Sequence, residues 1–460
     1  MKNMIKNKYF GPKSFYKEAI LIAIPVMLQQ LVQSLVNLID NFMVAGLGDI
    51  KMSGVSTAGT LIFMYQVLLN TICVSGGIFL TQHFGAQNKK GMQQALCFKI
   101  ILGLFGVAIY LVMSLVVPKQ VIGMLLIGNT EKEAILIEGV KYMRLMSLVG
   151  IPMLASFVMA SSLREIGKVT PPLVITIIAT LTNTLFNYML IYGNFGMPRL
   201  EVEGAAIATV IARCVEMLLL YIYIRINKQP FDIKFDSLFH IDQKQFVEML
   251  KKASMIIFSE MLWVVSETVT TALYNGRGGA DVVSGMASSF VIANLFFVSF
   301  NGITTATAVI IGKTLGKGEL EEAKKQKNWL FMAANIFGLI MLAVAMANVL
   351  LVPVVFGDLS MSAQNTCKGM VFIMALFMPM WVYQNTQFAL SRAGGDAKMG
   401  FLVDGIFTLG MYFPLLFAIA LLTDLGPVVL YAVVKLVDIP KVLFADWWLK
   451  KEKWVKNLAK

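Results

Sequence analysis

Residues 31–48 read LVQSLVNLIDNFMVAGLG, an apolar run of helical character that carries Gln33, Asn37, Asp40 and Asn41 before its first Gly turn. Inside a membrane these groups are costly, since a charge at mid-bilayer costs roughly 2.5–3.5 kcal/mol on insertion scales. The four fall at i, i+4, i+7 and i+8, which places them on one face of a helix. Gln29 and Gln30 extend that stripe inward. Pro25 lies about four turns before Asp40; a proline removes one backbone hydrogen bond and makes the helix bendable there.

The rest of the chain puts this run in a bilayer. Of 460 residues, 57% are hydrophobic and only 14% charged, with a mean hydropathy of +0.73. That is the composition of a polytopic membrane protein. A span needs about 20 mostly apolar residues. Twelve stretches qualify: 17–45, 53–83, 92–117, 138–162, 170–192, 203–226, 246–275, 284–312, 326–353, 364–391, 398–423 and 425–449. The basic N-terminus is followed by an apolar run too long for a cleavable signal, and no small-residue cleavage site closes it.

The net charge of +12 suggests nucleic acid until its distribution is considered. With the N-terminus in the cytoplasm, the inner loops and tails hold Lys2, Lys6, Lys8, Lys89, Lys90, Arg164, Lys168, Lys234, Lys324, Arg392 and the tail from Lys450, among others. The outer loops hold only Lys51, Lys119, Lys132, Lys141, Arg199, Arg277 and Lys368. This positive-inside bias puts both termini in the cytoplasm of a multi-pass plasma (inner) membrane protein, and no nucleic-acid partner is expected.

Enzymatic readings fare poorly. Cys73, Cys97, Cys214 and Cys367 are scattered without a CxxC pair, and His83 and His240 are the only histidines. No disulfide framework, zinc site or other metal centre is expected. The GKT at Gly312–Thr314 lacks the glycine of a phosphate loop, where Thr307 stands. No nucleophile elbow or soluble signalling domain is present either, so the chain reads as neither an enzyme nor a receptor.

The polar stretch 227–245 separates two halves of six spans. The resulting division is a cytoplasmic tail 1–16, a first lobe 17–226, a cytoplasmic linker 227–245, a second lobe 246–449 and a basic tail 450–460. The halves repeat. A shift of 231 residues pairs Gly48 with Gly279, Gly54 with Gly285, Asn70 with Asn301 and Gly85 with Gly316. A shift of 228 pairs Arg164 and Gly167 with Arg392 and Gly395. A shift of 222 pairs Arg213 and Glu216 with Lys435 and Asp438. Internal repeats of this kind are common in secondary transporters.

Other spans carry polar groups too. Thr176, Thr180, Asn183 and Asn187 form one stripe on span 5; Glu260, Glu267 and Thr271 form another on span 7. Asp404 lies in span 11, and Gln384, Asn385 and Gln387 in span 10. Amides and hydroxyls in membrane helices commonly bond helices together, at about 0.6 kcal/mol each. Arg213 with Glu216, and Lys435 with Asp438, read as i,i+3 pairs that neutralise each other. Asp40 has no cation within a helical turn, and Glu260, Glu267 and Asp404 read as lone acids, which marks these four as functional candidates. Thirty Met and thirty-one Phe supply adaptable apolar walls, and aromatic faces attract cations. Trp329, Trp447 and Trp448 sit near span ends, as interfacial anchors do.

Together these features resemble the multidrug and toxic compound extrusion (MATE) family. NLIDNFMVAGLG at 37–48 resembles its first-span motif. LREIGKVTPP at 163–172 and LSRAGGDAKMG at 390–400 resemble its paired LRGxGD-type motifs, and VEGAAIAT at 202–209 the start of its sixth span. The nearest branch is the bacterial one resembling DNA-damage-inducible transporters. The resemblance implies an all-α fold of twelve transmembrane helices, in two six-helix lobes related by a pseudo-two-fold repeat around a V-shaped central cavity. It implies export of organic, often cationic or amphiphilic drug-like compounds in exchange for H⁺ or Na⁺, with no cofactor. It places Asp40 as the coupling carboxylate, Pro25 as the hinge of the first span, and Asn183 and Thr209 in the same polar pocket. Asn187 stands where one branch has a second Asp, so the oxygen ligand is kept and the charge is lost. Gln33, Asn37, Glu260, Glu267, Asp404 and Gln384 are the candidates for the substrate cavity. A monomer among membrane lipids is expected. The rival reading is a lipid-linked oligosaccharide or lipid flippase of the same superfamily, which would need several cations at mid-membrane for a pyrophosphate.

Overall fold

The computed structural model describes residues 9–126, 131–231, 241–275, 279–357 and 359–459. Residues 1–8 of the N-terminal tail, and 232–240 of the expected linker, with Lys234 and His240, lie outside these, as does Arg277. The described residues form helices and turns without a strand. In chain order the long helices are α1 (Lys13–Ala45), α2 (Asp49–Gly85), α3 (Lys89–Val116), α4 (Lys132–Glu165), α5 (Thr170–Tyr192) and α6 (Glu201–Ile226). They continue with α7 (Gln243–Asn275), α8 (Ala280–Gly316), α9 (Leu320–Val349), α10 (Met361–Ala393) and α11 (Lys398–Leu422). Each of these eleven is long and apolar enough to cross a bilayer, and the chain is a multi-pass membrane protein.

The twelfth expected span is broken. It forms two short helices, Pro427–Lys435 and Asp438–Leu449, together α12. Pro440 explains the break: it has no N–H for the carbonyl four residues earlier, Leu436, and its ring crowds that carbonyl. Local chemistry sets other boundaries. Asn88 caps α3 by accepting from Gly91 N at 3.0 Å, and Ser360 caps α10 by accepting from Ala363 N at 3.2 Å. Prolines open α5, where the missing N–H costs nothing. In α11 a wide π-type stretch, Gly405–Tyr412, follows Asp404 and precedes Pro414, the kind of interruption found at functional sites.

The chain forms two compact units. Unit 1 comprises Met1–Met27, Thr81–Gln87 and Leu250–Lys460; unit 2 comprises Leu28–Leu80 and Asn88–Met249. A unit boundary therefore crosses α1 two residues after Pro25. Many apolar side chains point outward, Phe42 at 76% exposure and Leu422 at 82% among them. In water such surfaces would aggregate; here they suit hydrocarbon. Packing against lipid gives no hydrophobic drive between helices, so close approach through small residues holds them together.

Glycines show this directly, and the repeat governs where. In unit 2 a Cβ on Gly54 of α2 would lie 2.9 Å from Gly139 N of α4; in unit 1 a Cβ on Gly285 of α8 would lie 2.5 Å from Ala363 O of α10. Gly54 and Gly285 are repeat partners in equivalent helix pairs. Within unit 1 the end of α2 crosses the end of α8 reciprocally: a Cβ on Gly85 would meet Lys313 O at 2.2 Å, and one on Gly316 would meet Gln82 O at 2.0 Å. Gly167 and Gly395, also partners, end α4 and α10 with φ of +84° and +75°. Both close the same turn: Gly167 N donates to Arg164 O at 2.9 Å, and Gly395 N to Arg392 O at 2.8 Å.

The C-terminal segment packs within unit 1. Leu458 N donates to Gln82 Oε1 at 2.6 Å, and Gln82 Nε2 donates to Ala393 O at 2.7 Å. Trp454 is 1% exposed, and its carbonyl occupies the space a side chain at Gly394 would need. Of the three tryptophans expected as interfacial anchors, only Trp447 is exposed, with the Lys451 ammonium over its ring. Trp329 is buried against Phe15, and Trp448 is buried and donates to Asp396 Oδ2 at 2.7 Å. Side chains from neighbouring helices and the tail cover these two, which span ends alone do not reveal.

Candidate functional site

In unit 2, α1 and α5 lie side by side in constant register. Gln29 Nε2 donates to Thr176 Oγ1 at 2.9 Å, and Asn187 Nδ2 donates to Asp40 Oδ1 at 2.7 Å; both pairs are 147 residues apart in sequence. Eleven residues separate the two contacts on each helix, three turns or roughly 16 Å. The two polar stripes read from the sequence therefore face each other.

Asp40 is half-buried, whereas Asn183 and Asn187 are 5% and 1% exposed. Asn183 lies next to the carboxyl, with one end of its amide 2.9 Å from both Asp40 oxygens. With nitrogen at that end the amide donates to the carboxylate. With oxygen there, it accepts from a protonated carboxyl, and Asn183 Nδ2 then faces Thr209 Oγ1 at 3.4 Å. Asn187 Oδ1 is buried without a hydrogen-bond partner, leaving an oxygen ligand free in the pocket.

The VEGAAIAT stretch builds the third wall. Gly204, Ala205, Ala206 and Ala208 are buried on α6, and a Cβ on Gly204 would lie 2.6 Å from Leu190 O of α5. That close approach brings Thr209 to Asn183. One turn on, Arg213 Nη1 bonds Glu216 Oε2 at 2.8 Å, the pair the sequence suggests. Glu216 Oε1 also accepts from Thr176 at 3.3 Å. Arg213 interacts favourably with Asp40 as well.

Toward the far end of unit 2, Arg164 Nη1 donates to Gln29 Oε1 at 3.4 Å. Its neighbour Glu165 meets Lys99 of α3 at 2.5 Å. Lys99 is 0% exposed, and its ammonium also reaches Ser161 Oγ at 3.2 Å and Ser162 Oγ at 3.3 Å. Three acceptors match its three donors. Gly76 and Gly77 of α2 leave the room: a Cβ at 77 would lie 2.1 Å from Glu165 Oε1.

Other predicted residues lie elsewhere. Gln33 is half-buried one turn along the stripe, and Asn37 and Asn41 are exposed. In unit 1, Glu260 and Glu267 are not lone acids. Arg392 Nη2 holds Glu260 at 2.9 Å, and Lys435 Nζ holds Glu267 at 2.7 Å. Lys435 does not pair with Asp438 as its spacing suggests, because the break at residues 436–437 takes the two off a common helical face. Asp438 instead accepts from Trp381 Nε1 at 2.9 Å and lies 3.7 Å from Lys441. Asp404 is half-buried among the charges of Lys441, Arg392 and Glu260. Gln384 is half-buried on α10 and makes no hydrogen bond among the described residues.

The arginine contacts repeat with the chain. Arg164 and Arg392 are partners at a shift of 228, and their acceptors Gln29 and Glu260 are partners at 231. Each arginine ties the end of its four-helix segment to the first helix of its half. Because the acceptors differ in residue type, matching identities misses them. Lys99 was missed as well, although a lysine inside the apolar run of span 3 is a direct signal.

Comparison with known proteins agrees with this architecture. The MatE family model matches residues 25–189 and 256–417. A Thermotoga maritima protein described as a probable multidrug resistance protein NorM is 24% identical over 315 residues, covering 66% of this chain and 64% of its own length. The multidrug resistance protein NorM of Vibrio vulnificus is 23% identical over 396 residues, covering 84% and 82%. A crystal structure of MATE in complex with MaL6 superposes with a TM-score of 0.84 at 18% identity, covering 98% of both chains, so the fold is shared. With its two matched segments and the same fold throughout, this chain belongs to the MatE family.

Proposed function

We propose that the protein is a secondary active antiporter that exports organic, often cationic compounds across the plasma (inner) membrane in exchange for H⁺ or Na⁺, by alternating access. The observation that carries the coupling role is Asp40. Among the described interior acids of unit 2, Glu165 and Glu216 are ion-paired, whereas Asp40 is held by amides. An acid so placed exchanges a proton or cation without first breaking a salt bridge. Asn183, Asn187 and Thr209 complete the ion pocket, and α1 bends at Pro25 as its occupancy changes. Names of the relatives, multidrug resistance proteins, support a drug-like small-molecule substrate. The protein works as a monomer among lipids, with both termini cytoplasmic. It is a transporter and not an enzyme.

One charge moving inward gains about 2.3 kcal/mol per 100 mV, enough for roughly fiftyfold accumulation of a neutral substrate outside. A monovalent cation exported one-for-one cancels that electrical term and needs a pH or Na⁺ gradient. The flippase reading lacks its cations: Arg144 is exposed, and Arg213 and Lys435 are each engaged by an acid. The test is efflux from proteoliposomes under pH, Na⁺ and voltage gradients imposed one at a time. Asp40→Asn is expected to abolish ion-driven efflux while leaving the chain folded; coupled efflux by that variant sinks the reading.

A further inference from the structure

We infer that the coupling ion is a proton, and that it leaves Asp40 by way of two further carboxyls of unit 2, Glu216 and Glu165. This rests on the antiporter reading and deepens it by naming the ion and its inner stations.

The three acids are joined by buried polar side chains. Arg213 attracts Asp40 and is bonded to Glu216 at 2.8 Å. Glu216 continues through Thr176 (3.3 Å) and Gln29 (2.9 Å) to Arg164 (3.4 Å), whose neighbour Glu165 is bonded to Lys99. Glu216, Thr176, Gln29 and Lys99 are all at most 6% exposed. Asp40 also faces the Tyr142 phenol, and Glu165 faces Arg164 and the Cys73 thiol.

Transfer chemistry decides the ion. Asp40, Glu216 and Glu165 stand with Arg213, Arg164 and Lys99, so the fully ionised chain is neutral. One added proton gives the same single excess charge whichever acid holds it. Each transfer breaks an O–H bond on one carboxyl and forms one on the next, with water as the carrier across the gaps. When Glu216 takes the proton, Arg213 is released to the Asp40 anion; when Glu165 takes it, Glu216 regains Arg213. Glu165 then gives the proton to water at the end of α4. A metal cation cannot be handed on by exchanging O–H bonds: it would have to move bodily past Glu216, Thr176, Gln29 and Lys99, all buried and bonded to their neighbours.

Thr176 gives the cleanest test, because its substitution changes no charge. Use the full chain in proteoliposomes with ethidium as the exported cation and a trapped pH dye. Thr176→Val is expected to slow proton-driven efflux by roughly a hundredfold, the low end of what a positioned proton-transfer group contributes, with Thr176→Ser within about twofold of wild type. Ethidium affinity is unchanged in both, and Glu216→Gln loses the coupled pH signal. Wild-type rates for Thr176→Val overturn the relay. So does a Thr176→Ser variant as slow as the valine one, which would make the site a packing position, and so does efflux driven by a Na⁺ gradient alone. Asp40→Asn separates the two readings. If it alone stops coupling, the relay fails and the antiporter stands; if it stops nothing, the antiporter reading fails first.

Discussion

Replacing Lys99 by Met removes a buried ammonium and leaves Glu165 without its closest cation. The site is fully enclosed: Lys99 is 0% exposed, and its three donors are taken by Glu165 (2.5 Å), Ser161 (3.2 Å) and Ser162 (3.3 Å). Breaking a buried pair from one side costs about 3–5 kcal/mol, because the remaining charge is stranded. Arg164 beside Glu165 offsets part of that, which puts Lys99→Met near the lower end. A loss of about 3 kcal/mol lowers the folding constant roughly 150-fold. Removing both charges is a different matter, since apolar replacements of similar volume are often neutral or stabilising. The double variant Lys99→Met/Glu165→Leu is therefore expected to recover at least about 2 kcal/mol of what the single changes lose together. Reversible unfolding in mixed micelles titrated with SDS measures all four corners of the cycle. A Lys99→Met variant within about 1 kcal/mol of wild type, or a double variant as unstable as the sum of the singles, refutes the reasoning. The recovered double variant should still fail to couple protons, because stability and relay are separable properties of the same pair.

Gly316→Ala and Gly85→Ala each force a Cβ to within 2.0 and 2.2 Å of a backbone carbonyl across the α2–α8 crossing, so each should cost about 1–3 kcal/mol of overpacking in the same titration. Gly59→Ala is the control: nothing lies within 4 Å of its Cβ, and it should be neutral or stabilising by up to about 1 kcal/mol. Gly167→Ala should cost about 1–2 kcal/mol for its left-handed backbone, and Gly395→Ala more, since its Cβ also meets Leu458 Cδ1 at 2.6 Å; equal losses would count against the contact. Lys51→Ala, at the solvent-accessible, half-buried Lys51–Glu201 ion pair, should change unfolding by less than about 1 kcal/mol.

Much of the fold was legible because the bilayer imposes simple rules. Length and hydropathy found eleven helices, and a turn signal such as Gly48 or Gly167 ended several of them at the expected place. The twelfth is present but interrupted, at Pro440, whose effect falls on the carbonyl four residues upstream and breaks an otherwise continuous apolar run. The same break undid the expected Lys435–Asp438 pair. Spacing rules assume an unbroken helix, and they see only partners on that helix. Glu260 and Glu267 read as lone acids for that reason: Arg392 and Lys435 lie 132 and 168 residues away. The Asp40 stripe was legible for the opposite reason. Its groups share a helix face, and the stripe on α5 repeats its spacing, Gln29 to Asp40 against Thr176 to Asn187. That common eleven-residue interval is the signal that could have paired the two helices from sequence.

The repeat preserves geometry while changing charge, and the change favours motion in one helix. Arg164 holds α1 through the amide of Gln29 at 3.4 Å, whereas Arg392 holds α7 through the carboxylate of Glu260 at 2.9 Å. A hydrogen bond from a charged donor to a charged acceptor is roughly twice as strong as one between neutral groups, and shorter; the α1 contact has one charged member and is the longer. α1 also carries Pro25 inside its helix, where α7 has Ile256 and an unbroken backbone ladder. The helix with the weaker tie and the missing hydrogen bond is the one that bears Asp40. A proton moving between Asp40 and Glu216 reorders Arg213 and, through Thr176, the hydrogen bond to Gln29. The change therefore falls on the Gln29 tie of α1, one turn from Pro25.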